Sequence, residues 1–250
     1  MSAARNGSSD QTSPDGDENP GAAARALSHI LEFSQRVQAP AVEAYVQRIR
    51  RAHPDASPAD IVTKLEKRYL AAVTASGAAV GSAAAIPGIG TLVALSAVAG
   101  ETVVFLDATA LFVLAVAEVH GIPAEHRERR RALVLAVLVG DDSKHAIRDI
   151  VGPARTGGGW IGESAAAMPL PAVAQLNNRL VKYFMKRYAL KRGAIAFGKM
   201  LPMGIGAVVG GGGNRLMGRK IVSNARKAFG PAPARWPVSL HVLPSAEVSG

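Results

Sequence analysis

The chain has 250 residues, 48% of them hydrophobic and 19% charged, a balance that supports one or two packed domains and excludes wholesale disorder. It contains no cysteine, which excludes disulfides, thiolate metal sites and cysteine nucleophiles. The net charge of +10 is concentrated late: residues 164–246 hold thirteen Lys or Arg and no acid, against sixteen basic and nineteen acidic side chains elsewhere, so the implied partner is a polyanion.

Residues 1–21 are rich in Ser, Asp, Gly and Pro without an apolar run, and read as a disordered leader. Two amphipathic helical stretches fill 22–56, one over 22–37 and one over 40–52, the second closed by His53-Pro54. Ser57-Pro58-Ala59-Asp60 then offers an N-cap, a first-turn proline and a first-turn acid, predicting a helix through Ile61, Leu65 and Tyr69. Residues 71–100 pass without a charge, long enough to span a bilayer, but Pro87, Gly88 and Gly90 predict a turn and hence a hairpin of two arms. The second arm continues to a stop at Val119-His120-Gly121-Ile122-Pro123. A segment over 123–139 starts polar and ends apolar, too briefly to cross a membrane, and a short helix starts at Asp141. After a Gly-rich loop near Trp160, residues 176–192 read as a basic amphipathic helix, 203–213 as a second small-residue segment, and 214–229 as another basic helix. The Pro-rich tail, 231–250, is expected to be loosely held. The fold class expected is all-α: a helical bundle with Gly/Ala-rich hairpins, associated with a membrane.

The glycine spacing carries the most information. Gly77 and Gly81, and Gly206 and Gly210 continuing to Asn214, repeat every four residues, and Gly88 and Gly90 mark the hairpin turn. Small residues at that period let helix backbones approach closely, in membranes or in a tight soluble core. Glu101 and Asp107 interrupt the apolar arm. They are the only candidates for acid–base hydrolysis there, but six residues places them about 120° apart on a helix, and pairing with cations of the basic third explains them as well. Asp141, His145 and Asp149 have metal-ligand spacing on one helical face, yet Lys144 and Arg148 are interleaved and acids at a helix start serve its dipole. Residues 193–200 approach a phosphate-binding loop but place Met200 where Mg²⁺ needs a hydroxyl, and 204–210 lacks the strand and acid of a dinucleotide site. No metal or cofactor is therefore expected, and no catalytic motif is present. The basic positions Arg179, Lys182, Lys186, Arg187, Lys191, Arg192, Arg215, Arg219 and Lys220 alternate with Leu, Val, Phe, Met and Ile, with few aromatics to stack on bases. That pattern fits anionic lipid better than nucleic acid.

Read together, Leu65-Glu66-Lys67-Arg68-Tyr69-Leu70, the small-residue run into Pro87-Gly88-Ile89-Gly90, the stop at Val119-His120-Gly121-Ile122, and the run from Gly206 through four glycines to Asn214, then Ala228-Phe229, resemble the EcsC family. The similarity covers roughly 57–230. That family is named for a protein encoded beside an ABC transporter, and its biochemical role is undefined. The resemblance implies a helical, membrane-associated bacterial protein at the cytoplasmic face of the cell membrane, with a transport component as a partner by analogy, and supplies no catalytic residue. Two other readings remain open from the residues: a lipid or ester hydrolase using Glu101 and Asp107, and a soluble adaptor for an acidic protein.

Overall fold

The computed structural model describes residues 39–84, 91–122, 124–151, 168–196 and 206–237, with Ser28 and Glu32, and for 81–84, 91–101, 151, 186–196 and 206–210 the backbone alone. Among the described residues there are seven helices and no strand: α1 (Ala39–Arg51), α2 (Pro58–Ala84), α3 (Thr91–Val119), α4 (Arg127–Val139), α5 (Asp141–Val151), α6 (Leu170–Ala196) and α7 (Gly206–Phe229). Ser28 and Glu32, within the first predicted stretch, are helical. The turn at 87–90 and the loop near Trp160 lie outside the described residues.

Helix ends follow their local chemistry. At the start of α2 the Asp60 carboxylate accepts from Ser57 N–H (3.0 Å) and Ser57 Oγ (2.6 Å), while Asp60 N–H donates back to Ser57 Oγ (3.2 Å). This reciprocal arrangement satisfies donors that the first turn leaves orphaned. It also holds the Asp60 carboxyl below its ordinary pKa, through the side-chain bond first and the backbone bond second. α3 ends in the glycine motif its sequence predicts. Gly121 takes φ 66°, Ile122 N–H reaches Ala117 O (3.0 Å) and Gly121 N–H reaches Glu118 O (3.0 Å). Gly140, at φ 76°, separates α4 from α5.

α3 is the central helix. Phe112 to Ala117 and Val119 are buried, and α3 packs against α1, α2, α4 and α7. Tyr69 of α2 stacks on Phe112 at 4.8 Å between ring centres, and its hydroxyl lies 2.9 Å from Thr109 Oγ1. Because Thr109 Oγ1 donates to Phe105 O (2.7 Å), the tyrosine must be the donor, and burial pushes its pKa up to about 12. The stretch Thr102–Val119 is long and apolar enough to cross a membrane, yet most of it lies inside the protein. Its hydropathy is that of a core helix.

α4 makes the second layer with α5 and α6. Leu133 to Val137 are buried on every side, between α3, α6 and α7. Two arginines before them brace neighbouring backbone: Arg130 Nη1 donates to Ala124 O (2.8 Å) and Glu125 O (2.6 Å), and Arg129 Nη2 to Met168 O (3.2 Å) at the approach to α6. The tail is not loose over its described part. Residues 231–237 return over α1, where the Arg50 guanidinium sits 3.8 Å from the centre of the Trp236 ring, and Pro237 packs against Gly121 so closely that a Cβ there would fall 2.7 Å from it.

Candidate functional site

α7 runs antiparallel to α2, and small residues set the approach. A Cβ on Gly211 would lie 3.2 Å from Ala78 Cβ and 3.3 Å from Thr74 O; one on Gly218 would lie 3.0 Å from Leu70 and from Val73. Between them, Asn214 Nδ2 donates to Val73 O (3.1 Å). Gly211, Asn214 and Gly218 therefore form the stripe that faces α2. Of the expected repeat Gly206, Gly210, Asn214, the described contacts place Asn214 in this stripe. Gly206 and Gly210 lie on the α7 backbone and Gly81 on the α2 backbone, their surroundings outside the description; Gly77 is buried in α2, and Gly88 and Gly90 lie outside the described residues. Residues 203–213 and 214–229, expected as two segments, join from Gly206 onward in one helix.

Farther along, Arg226 anchors α7. Its Nε and Nη2 donate to the Glu66 carboxylate at 2.7 and 2.5 Å, Glu66 is 5% exposed, and the paired carboxylate raises the Arg226 pKa. This pair is one of three described ion pairs that tie the basic third to the body, beside Arg179–Asp149 and Lys227–Asp141. The two acids noted in the sequence sit on α3: Asp107 is half-buried, and the Glu101 side chain lies outside the description. Pairing across 160 residues leaves no local signal in the sequence.

With that inner face fixed, the outward face of α7 presents Arg215, Leu216, Met217, Arg219, Lys220 and Ser223, all exposed. Leu216 at 70% and Met217 at 52% are the most exposed large hydrophobics among the described residues, and Val104 of α3 follows at 47%. Among the described residues, these apolar side chains held out between three cations form the most exposed apolar surface. Leu216 and Met217 are not singled out by the sequence, because which side of the helix stays exposed depends on the face that α2 covers.

On α6, Lys182 is exposed and Arg179 Nη1 bonds Asp149 Oδ2 of α5 at 3.1 Å. The side chains of Lys186, Arg187, Lys191 and Arg192 lie outside the description. The residues with metal spacing are spent differently: Asp141 accepts from Lys227 Nζ (3.1 Å), Asp149 holds Arg179, and His145 is exposed. No group of three or more His, Asp or Glu that could hold a metal ion occurs among the described residues. Gly193, where the phosphate-loop-like string begins, is inside α6 and follows no strand. A hollow of about 520 Å³ at the α1–α2 turn mixes both charge signs, and its Asp60 is committed to the helix cap and His53 Nδ1 to Ile49 O (3.0 Å). Compared with family models, curated proteins and solved structures, the chain matches none of them.

Proposed function

We propose that the chain is a peripheral, partly inserting membrane protein of the EcsC kind, held at the cytoplasmic face of a bacterial membrane and accessory to transport or secretion there. One observation carries the reading: Leu216 and Met217 stand in solvent on α7 between Arg215, Arg219 and Lys220. A helix with this face lies in the lipid interface, apolar side chains at the acyl boundary and cations among the headgroups. Each cation near an anionic surface contributes about 1 kcal/mol, and burying the two apolar side chains in part adds on the order of 2 kcal/mol. The burial of Thr102–Val119 within the protein supports surface attachment over a span.

The test is sedimentation of the full chain with phosphatidylcholine vesicles, with and without phosphatidylglycerol, at low and high salt. Binding is expected only with the anionic lipid, weakened by salt. Leu216→Ser with Met217→Ser should lower it roughly tenfold or more, and Lys182, Lys186, Lys191 and Arg192 changed together to Gln should weaken it further. Full solubility with no vesicle binding would overturn the proposal in favour of a soluble adaptor.

A further inference from the structure

The exposed face of α7 borders a cleft. Between α2 and α7 a hollow of about 310 Å³ is lined by Glu66, Leu70, Arg219, Val222, Ser223 and Arg226. Leu216, Arg219, Ser223 and Arg226 follow one another at steps of three, four and three, so they share one face of α7. Cations and a hydroxyl therefore line the cleft, and the exposed Leu216 stands one turn from its Arg219 end.

The lining carries the donors that a phosphate group accepts from. Glu66 is neutralised at the cleft wall by its two bonds from Arg226, which fix the guanidinium in place and leave the Nη1 hydrogens for another acceptor. Among the described residues, no other group engages the Arg219 or Ser223 side chains. A planar guanidinium fixed by a carboxylate, a second guanidinium and a hydroxyl match the several acceptor oxygens of one phosphate group, and charge-assisted bonds of this kind are the strong ones. Leu70 and Val222 give the cleft an apolar wall, which a free anion does not need and the start of an acyl chain does.

We propose that the α2–α7 cleft seats the phosphate of an anionic lipid headgroup, held by Arg219, Arg226 and Ser223, with Leu216 and Leu70 meeting the first carbons of the chain. This rests on the membrane reading above and adds to it a defined site. A diffuse basic surface responds equally to the loss of any charge, whereas a seat does not.

Arg219 and Lys220 provide the comparison, because they are adjacent, equally charged and exposed, and point about 100° apart around the helix. Full-length protein is titrated with phosphatidylcholine vesicles carrying phosphatidic acid, and separately with inorganic phosphate followed by amide chemical shifts. Lys220→Gln should weaken vesicle binding about fivefold, the share of one surface charge. Arg219→Gln should weaken it roughly fiftyfold, and the gap between the two should persist in high salt. Ser223→Ala should fall between them. Equal losses for Arg219→Gln and Lys220→Gln, with wild-type binding intact, would overturn the seat and leave the membrane reading standing. Arg219-dependent shifts with inorganic phosphate but no vesicle binding would overturn the lipid source and the membrane reading together. Silence in both titrations would overturn the site altogether.

Discussion

Glu66 and Arg226 show how unevenly two partners depend on one bond. Glu66 is almost fully buried, whereas the Arg226 side chain is 66% exposed. Removing the arginine strands a carboxylate away from water, while removing the acid returns the arginine to solvent. Arg226→Met should therefore destabilise the fold by about 3 kcal/mol and Glu66→Gln by about 1 kcal/mol, read from denaturant midpoints. Glu118, near the end of α3, has the opposite problem. Burial raises its pKa, and Glu43 and Glu125 raise it further. A carboxyl whose folded pKa lies above its ordinary value of 4.5 costs stability where it is ionised. That cost is complete above the folded pKa and vanishes below the unfolded one. Glu118→Gln should thus raise Tm at pH 8, with the gain shrinking as pH falls towards 4.5.

At the scale of elements, the glycines of α7 with described surroundings separate into two kinds. Gly211 and, one repeat later, Gly218 touch α2, whereas a Cβ at Gly212 or Gly213 would meet nothing within 4 Å. Gly218→Leu or Gly211→Leu should wedge the helices apart at a cost of about 2–3 kcal/mol. Gly212→Ala and Gly213→Ala should each add up to about 1 kcal/mol through helix propensity and a less disordered unfolded chain. Thermal melts of the four variants check both signs. The division was not legible in the sequence, because a run of identical small residues has no phase of its own and the partner helix supplies it. Helix ends were legible for the converse reason. Ser57 to Asp60 and Gly121-Ile122 act on backbone groups within a few residues, so the sequence that encodes each cap also completes it.

For the whole molecule, hydropathy and the proposed attachment come apart. The one described stretch long and apolar enough to cross a membrane, Thr102–Val119, lies in the helix on which α1, α2, α4 and α7 pack, while the surface proposed to meet lipid is a basic helix of modest hydropathy. Fractionated cell membranes should therefore lose the protein to high salt in part and to alkaline carbonate in full. Retention through carbonate would place α3 in the bilayer and require the core to open. The concentration of thirteen cations in residues 164–246 pointed to an anionic partner from composition alone. Which of those cations are committed to the protein, as Arg226, Lys227 and Arg179 are, required the fold.

The pairing of α2 with α7 also has a meaning in time. The chain is made from its N-terminus, and Glu66 must wait for a partner 160 residues later. At ordinary rates of synthesis that interval is on the order of 10 s. For that period Leu70, Val73 and Ala78 lack the helix that covers them. Secondary structure forms millions of times faster, so α2 is complete long before its cover arrives. The apolar face of α2 thus stays open until the glycine face of α7 emerges to close over it.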